Sequence, residues 1–591
     1  MLNCWSLSRL VAVQTLLCIS LAQDQRSLKL PSAPNYSNNL INSASVSPNP
    51  NSTVWLDIDF SNPEAVSITD HLLKALVAPP TTITTNPPYG LNVTGSPYLG
   101  KWSLLRIVIE KLPNIQTIHW ESQHPIPFSI LNTLKTRHPS CRLYYIIPFN
   151  FQEDPYDPAY NIDPDWDSYD GVDPGYWNRK ALLEKRQTEL LPSVVNFKNL
   201  YALKADIEYK VDDNFASLEL VMKILTSSPS LRELDIHLHS VGCLLGSVPW
   251  AFDFLSNPSV RFPPLEILRI RGYDFDESSD GGDVWLFKNH ELSSHDYPLP
   301  KRKASDGRSN LDVWLEVMDW SQLHTLDIVP TIHMVEKLRG RVLPSLRHLM
   351  LRYSDWTDGS NKKSDTDRGI SSFVREAALP LRTLGLWNIK PESWNSFLGL
   401  NEWHEKLWQE LESLTVGNDE NSNFVEVDAF TAFIASSPEL RRLDMSMERS
   451  KLSIHDPYYK AITSSSSLEY LTLRFPSPDN MFLDRGIYDN ETLMQTYTET
   501  KQNYKLLGEE GDEIDSAINS ENLLVLFHGL RQQKVGRELG SLDVYVGNWV
   551  ERNSCDFTVL SPMLRVARYR CWIEEEEERC QGRQTRNRGY L

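Results

Sequence analysis

The sequence predicts an α/β fold in which short parallel strands alternate with helices and stack side by side as a solenoid. One apolar strand pattern recurs along most of the chain, and amphipathic helices precede several of its copies. From Leu381 onward, successive strands start 30, 29 and 28 residues apart. A unit of that length cannot close its own hydrophobic face, so units bury it against their neighbours.

The recurring unit is a polar or proline-containing turn followed by apolar-x-x-apolar-x-apolar. Leucine fills both of the first two apolar positions in ten copies, which is far more than chance would give in a chain that is 41% hydrophobic. The copies are Ile115/Ile118/Trp120, Leu200/Leu203/Ala205, Leu231/Leu234/Ile236, Leu265/Leu268/Ile270, Leu323/Leu326/Ile328, Leu346/Leu349/Leu351, Leu381/Leu384/Leu386, Leu411/Leu414/Val416, Leu440/Leu443/Met445, Leu468/Leu471/Leu473 and Leu539/Leu542/Val544. We expect these side chains to face one common core.

Helical periodicity precedes several of these strands. The apolar residues that carry it are Leu218, Val221, Met222 and Leu225; Leu311, Trp314, Leu315 and Met318; and Phe430, Phe433 and Ile434. An amphipathic helix must cover a hydrophobic surface, and parallel strands joined by helices belong to the α/β class. We therefore predict an irregular leucine-rich-repeat-like solenoid, with a parallel β-sheet on the concave face and helices on the convex face.

Composition divides the chain into four parts. We predict a signal peptide, a disordered Pro/Ser/Asn-rich leader, the solenoid, and a Cys-containing acidic and basic C-terminal tail, at residues 1–22, 23–53, 54–550 and 551–591. Polar, acidic or Pro-rich stretches interrupt the array. These predicted insertions are residues 150–195, 274–310, 353–369 and 475–521.

The N-terminus has the three parts of a secretion signal. Arg9 supplies a positive charge, an apolar run extends from Leu10 to Ala22, and small residues at Ser20 and Ala22 mark a cleavage site before Gln23. We therefore expect a secreted or secretory-pathway protein without a membrane anchor; the alternative location is the cytoplasm or nucleus. The formal charge of −19 repels phosphate backbones, so nucleic acid is not an expected partner.

Cysteines and sequons add candidate modification sites. Cys571 and Cys580 flank a run of glutamates and are the first-choice disulfide, with Cys555–Cys571 next. Cys141 is expected to be a buried free thiol. The glycosylation candidates, each starting an N-x-Ser/Thr triplet, are Asn35, Asn51, Asn92 and Asn490.

Motifs for catalysis and cofactors do not occur. The chain lacks G-x-G-x-x-G, the Walker A loop, H-E-x-x-H and G-x-S-x-G. Two clusters contain residue types that bind metals but lack the spacing that a metal site requires. One is His290, Glu291, His295 and Asp296. The other is Asp163, Asp165, Asp167 and Asp170. We expect neither a metal nor a cofactor and no enzymatic activity; a secreted hydrolase is the remotest alternative.

A binding face is the positive prediction. Residues two, four and six after the first leucine of each unit face away from the core, and neighbouring strands bring them together. Arg and Trp, which dominate interface hot spots, recur among them. The predicted contact residues for a protein partner are Asp235, His237, Arg269, Arg271, Asp327, Arg352, Trp387, Asp444 and Arg474.

Three segments, Leu112–Arg142, Trp314–Leu326 and Phe430–Met445, resemble the repeat regions of fungal F-box/leucine-rich-repeat-type proteins. The resemblance implies substrate recognition within a ubiquitin ligase, which makes a cytosolic adaptor the alternative function. The chain departs from that family because no F-box helix set is found. The usual Asn or Cys eight residues after the first leucine is also missing, which predicts an irregular solenoid.

Overall fold

The computed structural model describes the strands, the helices and the turns that join many of them. The described residues are 55–60, 90–95, 102–147 without 113 and 123, 190–209, 215–240, 261–275 without 272 and 274, 309–352 without 331 and 340–342, 381–387, 405–417, 426–447, 455–475, 518–546 and 565–586 without 575, with single positions at 69, 73, 370, 373 and 374. The chain forms two compact units, Met1–Pro148 and Phe149–Leu591. The boundary divides residues 54–550, which the sequence predicts as one array.

The first unit contains four parallel strands paired in chain order. Its elements are β1 (Trp55–Phe60), β2 (Gly90–Gly95), α1 (Trp102–Lys111), β3 (Thr117–Glu121), α2 (Phe128–Arg137) and β4 (Arg142–Ile147). Register places Ile58, Val93, Trp120 and Tyr145 side by side, and all four side chains are buried. Trp102 of α1 stacks on Trp120 with ring centroids 4.9 Å apart, so α1 covers this row.

Cys141, immediately before β4, is a buried free thiol, as predicted. Burial raises its pKa to about 12, because a thiolate would lose its hydration inside the protein. The thiolate is the reactive form. We expect iodoacetamide at pH 8 to leave Cys141 unmodified in the folded protein and to alkylate it after denaturation, as measured by mass spectrometry of the peptide that contains it. Rapid alkylation in the folded protein would contradict this burial.

The second unit repeats the strand pattern ten times in parallel and ends in two antiparallel strands. Its strands are β5 (Leu200–Tyr209), β6 (Glu233–Ser240), β7 (Ile267–Arg271), β8 (Thr325–Ile328), β9 (His348–Arg352), β10 (Thr383–Trp387), β11 (Ser413–Gly417), β12 (Arg442–Ser446), β13 (Tyr470–Phe475), β14 (Ser541–Val546), β15 (Arg565–Glu574) and β16 (Glu577–Arg586). Its helices are α3 (Leu191–Val194), α4 (Phe215–Ser227), α5 (Asn310–Val317), α6 (Ile332–Arg339), α7 (Glu405–Glu410), α8 (Val427–Ser436), α9 (Pro457–Ser464) and α10 (Ser520–Gln533). The α/β class with a mostly parallel sheet is therefore confirmed.

The repeated leucines fix the register of this sheet. Ten of them are paired in one continuous row, which is Leu203, Leu234, Leu268, Leu326, Leu349, Leu384, Leu414, Leu443, Leu471 and Leu542. Every position of the eleven predicted copies is buried except Val416, which is half-buried. A slip of one residue would turn these side chains to the opposite face, so burial of the row specifies the pairing.

A second regularity lies in the backbone where each strand begins. One carbonyl accepts two successive N–H groups of the next strand, as Arg382 O does from Glu412 N at 2.8 Å and Ser413 N at 3.0 Å. We call this the strand-start ladder. Its acceptors are the carbonyls of Arg232, Glu266, His324, Arg347, Arg382, Glu412, Arg441 and Glu469.

Helix α5 shows how a returning helix is fixed. Ser309 and Asp312 form a reciprocal capping box at its N-terminus, and Lys337 of α6 lies 2.7 Å from Asp312. Its buried face carries Trp314, which is 0% exposed and lies against Phe262 with ring centroids 5.0 Å apart. The predicted apolar stripe is thus a core surface rather than a ligand site.

The C-terminal residues extend the sheet instead of forming the separate tail that composition predicts. Strand β15 pairs antiparallel with β14, and β16 pairs antiparallel with β15. Cys571 continues the leucine row opposite Leu542 and forms a disulfide with Cys580. Residues 1–54 and most of the predicted insertions lie outside the described residues.

Candidate functional site

One face of the second unit's sheet carries the side chains that point away from the leucine row; we call it the polar face. Row one comprises Glu233, Ile267, Thr325, His348, Thr383, Ser413, Arg442, Tyr470 and Ser541. Row two comprises Asp235, Arg269, Asp327, Met350, Gly385, Thr415, Asp444, Thr472 and Asp543. Further along the strands, His237 and Arg271, Arg352 and Trp387, and Arg474 and Tyr545 are register pairs.

One group of contacting side chains on this face surrounds Arg474. Its guanidinium donates two hydrogen bonds to Asp444, from Nε at 2.7 Å and from Nη2 at 2.8 Å. It also lies 5.0 Å from the ring centroid of Trp387 and 4.7 Å from that of Tyr545. A fork of this kind fixes orientation, and the aromatic faces are attracted to the cation. We call these four residues the Arg474 cluster.

Glycine makes the Arg474 cluster possible, because Trp387 is on β10 and Arg474 is three strands away on β13. The Trp387 ring lies across Gly417 of β11, where a Cβ atom would come within 1.8 Å of the ring. Met350 lies across Gly385 in the same way, with its sulfur 2.1 Å from a would-be Cβ. Two glycines in neighbouring strands therefore leave room for two large side chains to lie over the sheet.

A second group of charges lies on strands β6 to β8. Arg269 is 3.6 Å from Asp235, and Arg271 is 3.2 Å from Asp327. Asp327 is buried, so its pairing with Arg271 offsets the cost of removing its charge from water. Burial raises the pKa of the neighbouring Glu233, an effect that Arg269 opposes.

His348 lies between the two groups of charges. Its Nδ1 is 2.9 Å from the hydroxyl of Thr383. Burial lowers the pKa of His348. Nearby positive charges, first that of Arg269, lower this pKa further, so the neutral form of His348 is favoured. Among the side chains that the structure describes, paired charges therefore lie at either side of the polar face, and Met350, Gly385 and Trp387 lie between them.

The nine predicted contact residues all lie on strands of this face, and the structure divides them. The side chains of Asp235, Arg269, Arg271 and Asp327 form one group, and those of Trp387, Asp444 and Arg474 belong to the other. His237 pairs in register with Arg271; Arg352 pairs with Trp387, and its side chain lies outside the described residues.

Four residues of this face were not among the nine predicted contact residues. Tyr545 stands six residues after Leu539 and obeys the same spacing rule, so the alternation could have found it. Tyr470 is 42% exposed and Arg442 lies 4.8 Å from its ring, at positions that the rule also reaches. Gly417 carried no signal, because only the structure reveals the side chain that lies over it.

Other candidate sites contribute less. Asn92 is half-buried in β2, where its amide donates to Asp57 at 3.3 Å; the other three sequons are outside the described residues. Both sequence clusters of possible metal ligands also fall outside, and in the described part of the chain no three His, Cys, Asp or Glu side chains are grouped to hold a metal. Among the described helices, none has the length and hydropathy of a membrane span.

No protein-family model matches the sequence, and a search of curated proteins found no match.

Proposed function

We propose that this protein is a non-enzymatic binding scaffold, a leucine-rich-repeat-like solenoid whose concave face is the polar face and recognises a protein partner. The Arg474 cluster carries the proposal. Its four side chains come from β10, β12, β13 and β14 and hold one another in place, so little side-chain entropy remains to be lost on binding. Aromatic and arginine side chains fixed in this way are the usual energetic centres of protein interfaces.

The distribution of charge also favours recognition over catalysis. The carboxylates of Asp235, Asp327 and Asp444 are each within reach of an arginine on a neighbouring strand. An arginine that engages a carboxylate occupies its oxygens and fixes the orientation of both side chains, which favours a recognition role for this face. Met350 and Trp387 offer a partner an uncharged surface that can be covered without burying a charge of their own.

A location in the secretory pathway or outside the cell completes the proposal. The disulfide between Cys571 and Cys580 supports it, because such bonds persist in oxidising compartments. The apolar run from Leu10 to Ala22 supports it independently.

The test is photo-crosslinking from the polar face. A benzoylphenylalanine placed at Tyr470, which is exposed on β13, should capture one partner from culture medium of the native host. Adding Trp387→Ala to this photoreactive protein should reduce the yield of the crosslinked adduct about tenfold or more, which is the effect expected from removing a hot-spot side chain.

Val525 provides the matched control, because it is 72% exposed but lies on helix α10. The same photoreactive residue at Val525 should not yield the adduct. Equal adducts from both positions, or none from Tyr470 in medium and in cell extract, would contradict the proposed function.

A further inference from the structure

Strands β9 and β10 differ in charge from the rest of this acidic chain. With the residue that precedes each strand, they contain Arg347, His348, Arg352 and Arg382 but no aspartate or glutamate. The chain as a whole has a formal charge of −19. A basic region on so acidic a protein attracts anions locally.

The strand-start ladder brings two of these residues, Arg347 and Arg382, into line with His324 before β8. Arg347 N donates to His324 O at 2.9 Å, and Arg382 N donates to Arg347 O at 2.8 Å, so the three occupy equivalent places on adjacent strands. Adjacent strands are about 4.8 Å apart, which is close enough for neighbouring side chains to contact one ligand. His348 follows Arg347 directly. We call His324, Arg347, His348 and Arg382 the basic patch.

The basic patch is open to solvent. His324, His348 and Arg382 are exposed, and Arg347 is half-buried. Arg347 directs Nη1 to the carbonyls of Pro344 and Leu346, which anchors the guanidinium without cancelling its charge.

Three of the described carboxylates next to the basic patch have arginine partners. Glu266 lies 3.8 Å from Arg232, and Asp327 lies 3.2 Å from Arg271. Glu412 lies 3.1 Å from Arg382, in an ion pair whose two side chains are exposed and that a ligand carboxylate can share. Glu412 offsets part of the charge of Arg382, and the neutral form of His348 is favoured, so the positive charge of the basic patch rests mainly on Arg347.

We infer that the basic patch receives an acidic segment of the protein partner, whose neighbouring apolar side chain rests on Met350 and Trp387. This inference rests on the proposed binding function and names the chemistry of its ligand. Carboxylates pair with arginine in a fixed geometry, while the uncharged surface beside them gains from covering an apolar group. Nucleic acid fits less well, because the surrounding acidic surface would repel a long polyanion.

The experiment uses the full-length protein and a fluorescein-labelled peptide of alternating Glu and Gly with one central Phe. Fluorescence anisotropy at low salt should show binding that weakens as salt is added. The same peptide with Gln in place of Glu should not bind. Arg382→Gln should weaken binding of the Glu peptide about threefold, and Arg382→Glu about tenfold, because the first removes attraction and the second adds repulsion.

Arg570→Glu is the matched control. Arg570 is also 61% exposed and also faces a carboxylate, Asp543, but it is on β15. At about 0.1 M salt this variant should bind the Glu peptide within about twofold of the unmodified protein, because five strand spacings of about 4.8 Å separate β15 from β10, which exceeds the Debye length of about 10 Å. An equal loss of affinity for the Glu peptide in Arg382→Glu and Arg570→Glu would overturn the inference. So would the absence of binding by the unmodified protein.

Two further outcomes separate the possible failures. Tighter binding of a single-stranded oligonucleotide of equal charge would overturn the inference in favour of nucleic acid. If the adduct from Tyr470 persists and is insensitive to Arg382→Glu, the acidic-segment inference fails while the proposed function stands. If the Tyr470 adduct never forms, the proposed function itself fails.

Discussion

Trp314→Ala should lower the free energy of unfolding by about 3–5 kcal/mol, the range for deleting a fully buried large aromatic side chain. Trp314 is enclosed by Phe262, Tyr273 and Phe275, with ring centroids 5.0, 6.4 and 5.9 Å away. Its indole N–H also donates to the Tyr273 hydroxyl at 3.3 Å. Chemical denaturation followed by far-ultraviolet circular dichroism measures the change.

Two controls define this prediction. Trp314→Phe keeps most of the ring volume and should cost clearly less than the alanine variant. Val525→Ala changes a side chain that is 72% exposed and should stay within about 0.5 kcal/mol of the unmodified protein. A loss below about 1 kcal/mol for Trp314→Ala would show that the four rings do not form a packed core.

Gly417→Val should disrupt the Arg474 cluster. The new side chain would occupy the space of the Trp387 ring, which must therefore leave Gly417 and its place beside Arg474. We expect the stability to fall by about 1–3 kcal/mol, as in other overpacked sites. The proposed function then predicts that crosslinking from Tyr470 falls at least about tenfold, because the Trp387 ring, the proposed centre of the interface, is displaced.

A double-mutant cycle tests the cause. In a Trp387→Ala background the obstruction is gone, so Gly417→Val should cost less stability there than alone. Gly540→Ala is the matched glycine, because its Cβ would meet only Glu469 O at 3.5 Å, an ordinary contact. It should leave crosslinking unchanged. Strict additivity of Gly417→Val and Trp387→Ala would rule out the mechanism.

The sequence predicted the second unit's sheet well because register there depends on one repeated physical requirement. Leu384 and Leu443 had to share a core with the leucines of neighbouring copies, and alternation then determined which residues face the other way. Strand β2 escaped prediction, since Gly90–Gly95 carries no leucine signature. Strands β15 and β16 escaped it because their charged residues are typical of a tail, although Cys571 takes a leucine's place in the row.

The candidate site was only half predictable. Spacing identified Arg474 and Trp387 as members of one face, but they are 87 residues apart and belong to strands that are not neighbours. Their contact depends on how far an indole can extend over a strand without side chains at that point. Gly417 leaves the room for the Trp387 ring, and this effect can be recognised only once β10 and β11 are placed side by side.

The strand-start carbonyls, each of which accepts two N–H groups, explain how units of different length form one sheet. Leu323 and Leu346 are 23 residues apart, whereas Leu468 and Leu539 are 71 apart, yet the strands that follow them pair in the same register. Each strand is aligned by the carbonyl at the start of the preceding strand and not by the length of chain between them. Connection length and sheet alignment are therefore independent in this protein, so its loops can grow or shrink while the leucines keep the same neighbours.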